Sequence, residues 1–500
     1  MKKIVGWLCA VLMLMLCAPL SHAQPAEDFE WISPSWWQDV TNLLTLEEEE
    51  AAAYDAPIPE HYVPSCGEYF YRRLTPLQQK VYAALVTAMK QIGAEQLRCR
   101  QNFSVTVDTG TPLDQASFTQ FKNELSMKTV ADALWNDHTE LFWFTRFRVR
   151  YVGDGSTVTL TVFSDSTELF GNDEALRAAA KATQEQVDIL CRDLPEKTQE
   201  RVMLFVRWLC EHNTYNEEHT EYRNYPLAHT AYSALTSEND AQTGPVCQGF
   251  SYAFKWLCDR AGIEAVNVAG VFRQTAGDGA HSWNLVHIGG AWYAVDLTET
   301  DGLQTETFAC LAGSETPSFE TAFPTFSDAH EPDEKDYPTL FPMAYSPSAV
   351  TEAGTGLRIE PAALRVRVRV KKDAAAAVTC RVLVLPVRMA EGQSLWEMYE
   401  NGDDRLLCLT AEFFGEDGEN RYYTAVIGEI PESAYGFELA VLPLAETPFG
   451  TLTAETQRVL SIRAIARAAV PTQPADLAEK LCKMVCLAEN VGFGDGEIWY

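Results

Sequence analysis

Two adjacent glycines, Gly289-Gly290, separate an apolar run at 281–288 from a second at 291–297. Glycine adopts left-handed backbone at no steric cost, so such a pair between two extended runs predicts a two-residue hairpin. With the glycines as the loop, Ile288 faces Ala291, Trp283 faces Asp296 and His281 faces Thr298. Side chains alternate along a strand, which places His281 and Asp296 on one face as diagonal neighbours, their Cβ atoms about 7 Å apart or less. A register slip of one residue would separate them.

Upstream, Gly244-Pro245-Val246 interrupts the chain just before Cys247, and Phe250, Phe254, Leu257 and Cys258 then recur at helical spacing up to Gly262. Cys247 is therefore expected at a helix N-terminus. The unsatisfied backbone NH groups and the positive end of the helix dipole there favour thiolate, the nucleophilic form, and can also hold an oxyanion. Cys258 lies three turns on, roughly 16 Å away at the standard rise, and is expected to pack in the core. A nucleophile, a base and a carboxylate that fixes the imidazole tautomer are the groups cysteine catalysis needs.

These pieces, Val246-Cys247-Gln248-Gly249-Phe250, Gly262-Ile263, His281-Ser282-Trp283-Asn284, Trp292-Tyr293 and Asp296-Leu297-Thr298, resemble the transglutaminase-like superfamily. The resemblance is specific over about residues 195–302 and looser over 62–165, where Asp137-His138-Thr139-Glu140-Leu141-Phe142-Trp143 is similar to an accessory segment of secreted bacterial members. It implies a papain-like fold with a triad of Cys247 as nucleophile, His281 as base and Asp296 as orienting acid. Leu297 and Glu299 stand where the family commonly has a proline and an aromatic residue.

At 500 residues the chain exceeds one ordinary core. Its start, Lys2 and Lys3 followed by an apolar run to about Leu20 and Ser21-His22-Ala23, reads as an export signal over 1–23. An acidic, tryptophan-rich linker is expected over 24–61, with Glu47-Glu48-Glu49-Glu50 at its centre. An N-terminal α+β accessory region follows over 62–170. There Thr75-Pro76-Leu77-Gln78 starts an amphipathic helix through Val81, Ala84, Leu85 and Met89, a second helix covers about 127–135, and strands at 141–152 and 157–163 form a hairpin.

The catalytic domain is expected over 171–345, opening with helices at 173–192 and 196–213 broken at Pro195. Strict alternation in Leu364-Arg365-Val366-Arg367-Val368-Arg369-Val370 and further apolar runs predict a β-sandwich-like domain over 350–468, its arginines on a solvated face. A helix at 476–490, closed by Gly492, belongs to a C-terminal segment over 472–500. The fold class is thus α+β, a papain-like transglutaminase core between an α+β region and a sandwich.

A net charge of −31, from 39 Lys+Arg against 70 Asp+Glu, repels nucleic acid and anionic membranes. No run beyond the leader is long and apolar enough to span a bilayer, so a secreted or cell-surface location is expected, with no transmembrane segment after signal removal. Of 13 cysteines, Cys9 and Cys17 leave with the signal, and the odd number remaining fits one reactive thiol plus pairs. Cys482 and Cys486, four apart on a helix, read as core residues. Asn401-Gly402-Asp403-Asp404 reads as a turn and not a calcium loop, so neither cofactor nor metal is expected. Two functions follow. The first is a cysteine protease, amidase or acyltransferase working through a thioester on a protein or peptide substrate, cell-wall peptide included. The second is a non-catalytic surface binding or assembly module that retains the fold.

Overall fold

A computed structural model of the chain describes residues 26–33, 51–217, 225–236, 243–275, 277–298, 310–318, 322–333, 336–372 and 378–490. The expected export signal, the Glu47–Glu50 run, Glu299 and Gly492 lie outside them. The chain packs as two compact units. One compact unit comprises Met1–Ile189 and Asn216–Trp256, the other Leu190–Tyr215 and Leu257–Tyr500.

In the first unit a five-stranded sheet runs in the order Ala26–Ile32, Phe147–Asp154, Thr157–Asp165, Arg100–Asp108, Ala52–Asp55. It is antiparallel except where Ala52–Asp55 pairs in parallel with Arg100–Asp108. Alternation in Arg100–Asp108 buries Phe103, Val105 and Val107 beneath the helix Pro76–Lys90. That helix starts at the expected capping box, with Thr75 and Gln78 satisfying each other's backbone NH groups.

Both edge strands correct the expected linker over 24–61. Two of its acidic residues meet partners on the neighbouring strand: Glu27 pairs with Arg150 at 2.9 Å and Glu30 accepts from Tyr151 Oη at 2.8 Å. The expected strand at 141–152 begins only at Phe147. Leu141, Phe142, Trp143 and Phe144 are buried in an irregular turn, a solution that an apolar run permits as readily as a strand.

In the second unit the helix Thr198–Glu211 buries Val202, Phe205, Val206 and Leu209, the face its spacing predicts. A five-stranded antiparallel sheet has the order His330–Pro332, Ala265–Phe272, Gly279–Ile288, Ala291–Val295, Cys310–Ala312. Two further antiparallel sheets follow. One orders Val350–Arg358, Ala363–Lys371, Asn420–Ile427, Glu412–Glu416; the other orders Leu407–Thr410, Thr379–Pro386, Leu439–Thr447, Gly450–Thr453, with Arg458–Leu460 added to Leu439–Thr447. In Ala363–Lys371 the valines are buried while Arg365 and Arg367 face outward. The last helix, Ala475–Glu489, buries Cys482 and Cys486 and ends at Asn490 in left-handed backbone, φ 53°.

Candidate active site

Cys247 is the first residue of the helix Cys247–Arg260, which starts in the first unit and ends in the second. Val246 donates its NH to Ala228 O at 3.1 Å, and Asn216 holds the turn from the other side through Pro245 O and Gly244 O at 3.1 and 3.2 Å. Ala228 belongs to the single turn Pro226–His229, which packs so tightly that a Cβ at Gly249 would sit 2.3 Å from Ala228 O. Only glycine fits there. Buried side chains secure the helix body. Lys255, fully buried, donates to Gly67 O at 3.0 Å and to Asp137 O at 3.5 Å, and Thr139 Oγ1 donates to Tyr252 O at 2.9 Å.

The Asp137–Glu140 motif is thus a clasp for the helix that begins at Cys247. Asp137 itself accepts from Phe70 N, Tyr71 N and Tyr82 Oη at 3.0, 2.9 and 3.0 Å. Burial pushes its pKa up to about 6, against the opposing pull of Lys255 and His138. Cys258 is wholly buried, as expected of a core residue.

His281 and Asp296 lie in the second unit. Gly289 and Gly290 have φ of 60° and 84°, the left-handed pair that a tight hairpin requires. Pairing of Ile288 with Ala291, His287 with Trp292 and Asn284 with Val295 is the register read from the glycines. It brings His281 Nε2 to 2.6 Å from Asp296 Oδ2. The other carboxylate oxygen accepts from Thr298 N at 3.0 Å and Thr298 Oγ1 at 2.8 Å. Asp296 is completely buried, and burial alone would raise its pKa. The charges and hydrogen bonds of His281 and His330 outweigh that cost and hold it well below the usual carboxylate range.

Residue-by-residue reading did not find His330. Its Nε2 lies 3.0 Å from Asp296 Oδ2, the oxygen that His281 also uses, and its Nδ1 lies 3.0 Å from Phe326 O. The S/T-x-x-D signature Thr325–Asp328, a capping box in the structure, could have signalled the short helix Phe326–Ala329 before it. Nothing local signals a contact 34 residues away in sequence. Atoms of His281, Asp296 and His330 that could ligate a metal fall within 4.8 Å of one another. Ligand atoms around a tetrahedral zinc stand about 3.3 Å apart for bonds of about 2.0 Å. The 2.6 and 3.0 Å contacts to one oxygen instead match charge-assisted hydrogen bonds.

Residues 189–297 match the family model of the transglutaminase-like superfamily, a stretch that contains Cys247, His281 and Asp296. Kyphoscoliosis peptidase of Mus musculus is 28% identical over 152 residues, covering 29% of this chain and 22% of that protein. Its Homo sapiens counterpart is 27% identical over 170 residues, covering 31% and 24%. The similarity therefore spans about a quarter of those relatives' length. Among solved structures, a TGase overlaps with a TM-score of 0.21 at 15% identity, covering 40% of this chain and 51% of its own. A Cytophaga hutchinsonii protein assigned as a cysteine protease overlaps with a TM-score of 0.20 at 15% identity, covering 32% and 60%.

Proposed function

We propose that this chain, which carries a transglutaminase-like domain over residues 189–297, is a cysteine hydrolase or acyltransferase of amide and peptide bonds. Cys247 is the nucleophile, His281 the base and Asp296 the residue that orients it. The observation that carries this reading is the 2.6 Å contact between His281 Nε2 and a fully buried Asp296. A carboxylate accepts only, so Nε2 bears the proton and Nδ1 is left to exchange one with a thiol. The position of Cys247 at a helix start supports its role as a thiolate.

In the proposed reaction His281 Nδ1 takes the proton of the Cys247 thiol, the sulfur forms a bond to the substrate carbonyl carbon, and the carbonyl π electrons move to oxygen, from which they return to re-form the carbonyl when the amine leaves. The C–N bond then breaks as imidazolium His281 gives its Nδ1 proton to the departing amine, leaving a thioester on Cys247. Water, deprotonated by His281, attacks the thioester and frees the acid and the thiolate; an amine in place of water gives acyl transfer. We favour hydrolysis, in keeping with the peptidase name of the mouse and human relatives. The leader-like residues 1–23 and the acidic charge support action outside the cytoplasm, on a protein or peptide such as cell-wall peptide.

The test is turnover of a glutamine-containing peptide library and of cell-wall peptides, read as new N-termini, released ammonia or new isopeptide bonds. Cleavage by the wild type and a loss of about a thousandfold or more in Cys247→Ala support the reading. Equal rates in both overturn it.

A further inference from the structure

We infer that His330 is a positioning residue, held as an imidazolium between Phe326 O and Asp296, so that the acid is clamped by two rings instead of one. This rests on the triad proposed above and adds a fourth member to it. The protonation follows from geometry. The Phe326 carbonyl can only accept, so His330 Nδ1, 3.0 Å away, carries a hydrogen. A neutral His330 would then point the lone pair of Nε2 at Asp296 Oδ2 across 3.0 Å, two acceptors facing each other with side chains 1% and 0% exposed. Burying such a mismatch is costly, and a proton on Nε2 turns it into a charge-assisted hydrogen bond. A neutral carboxylic acid cannot replace that proton. Its hydrogen on Oδ2 would have to sit on a group that His281 and His330 hold well below the usual carboxylate range, and Thr298 donates twice to the other oxygen, so the ionised form is the one these contacts favour.

The surroundings suit a cation. The Phe326 ring lies parallel to the His330 ring at 3.8 Å and 8°, Trp283 meets it edge-on at 5.0 Å, and Phe272 packs at 4.9 Å. Aromatic faces attract positive charge and exclude water. The charged neighbours are Asp296 at the end of Ala291–Val295, His281 on Gly279–Ile288, and on its own strand Glu331, exposed and paired with Arg273. The strand His330–Pro332 is fixed by close packing, since a Cβ at Gly270 would sit 2.2 Å from Glu331 O. With Thr298 on Oδ1, Asp296 receives four hydrogen bonds and has no freedom to rotate. Sharing its charge with His330 also moderates its pull on the His281 proton, so it orients the base without trapping it as imidazolium.

The experiment has two arms on the full chain. In 15N-histidine-labelled wild type at pH 7.5, a histidine with both ring nitrogens protonated is expected whose signals are absent from His330→Gln and retained in His281→Gln. In steady-state kinetics His330→Phe is expected to lower kcat about tenfold or more with KM within about twofold, and His330→Gln, which retains a donor toward Asp296, to recover part of the loss. A neutral His330 in the wild type overturns the inference while leaving the Cys247 chemistry intact. So does a His330→Phe protein with unchanged kcat. The nitrogen signals decide the matter even if no substrate is turned over, which separates this failure from that of the proposed activity.

Discussion

His229 sits in the turn that holds the start of the Cys247 helix, and burial lowers its pKa from 6.5 to about 4, with Gln248 opposing weakly. The folded chain keeps it neutral while the unfolded chain takes a proton as pH falls through 6.5. Its contribution to stability is therefore undiminished above pH 6.5 and is lost between about 6.5 and 4. Between pH 7 and pH 5 the loss is about 2 kcal/mol. Asp137 runs the other way: raised to about 6, it contributes fully below about pH 4 and loses that contribution as pH rises to 6. Urea denaturation of wild type and His229→Gln at both pH values isolates the first effect. The gap between the two proteins is expected to shift by about 2 kcal/mol in favour of the variant at pH 5, and an unchanged gap would contradict the burial argument.

At the scale of elements, the hairpin carries more than its own register. Thr451 donates its NH to Gly290 O at 2.9 Å, and a Cβ at Gly290 would lie 2.2 Å from Thr451 O and 2.7 Å from the Trp396 ring. Gly290→Ala should thus destabilise the chain by about 2–3 kcal/mol, through left-handed strain and overpacking together. Gly289→Asn should cost less than about 1 kcal/mol, because asparagine tolerates φ near 60° and the nearest atom is Thr453 Oγ1 at 3.2 Å. Denaturation midpoints check both. The hairpin was legible because its signal is local: two glycines set the loop and alternation sets the faces. The strand Ala265–Phe272, which joins Gly279–Ile288 to His330–Pro332, was not, since Ala265, Val266, Asn267 and Val268 are all buried on an interior strand and show no alternation. His330 stayed hidden with it.

For the whole molecule, pattern reading found the capped helix Pro76–Lys90, the alternating Ala363–Lys371 strand and the hairpin register that sets His281 beside Asp296, each written in short windows of chain. It read the strands Ala26–Ile32 and Ala52–Asp55 as linker, because an edge strand satisfied by a ladder and by ion pairs such as Glu27–Arg150 carries the composition of one. The division into two compact units was equally out of reach, since it depends on long-range packing that returns Asn216–Trp256 to the first unit. The central claim is that one sulfur among many acts as nucleophile. Intact-protein mass spectrometry after acid quench, with peptide mapping, measures it directly on a turning-over amide substrate. An acyl adduct confined to Cys247, absent from Cys247→Ala and from His281→Ala, is the predicted result; no adduct on Cys247 during turnover, or acylation of another residue, would contradict it.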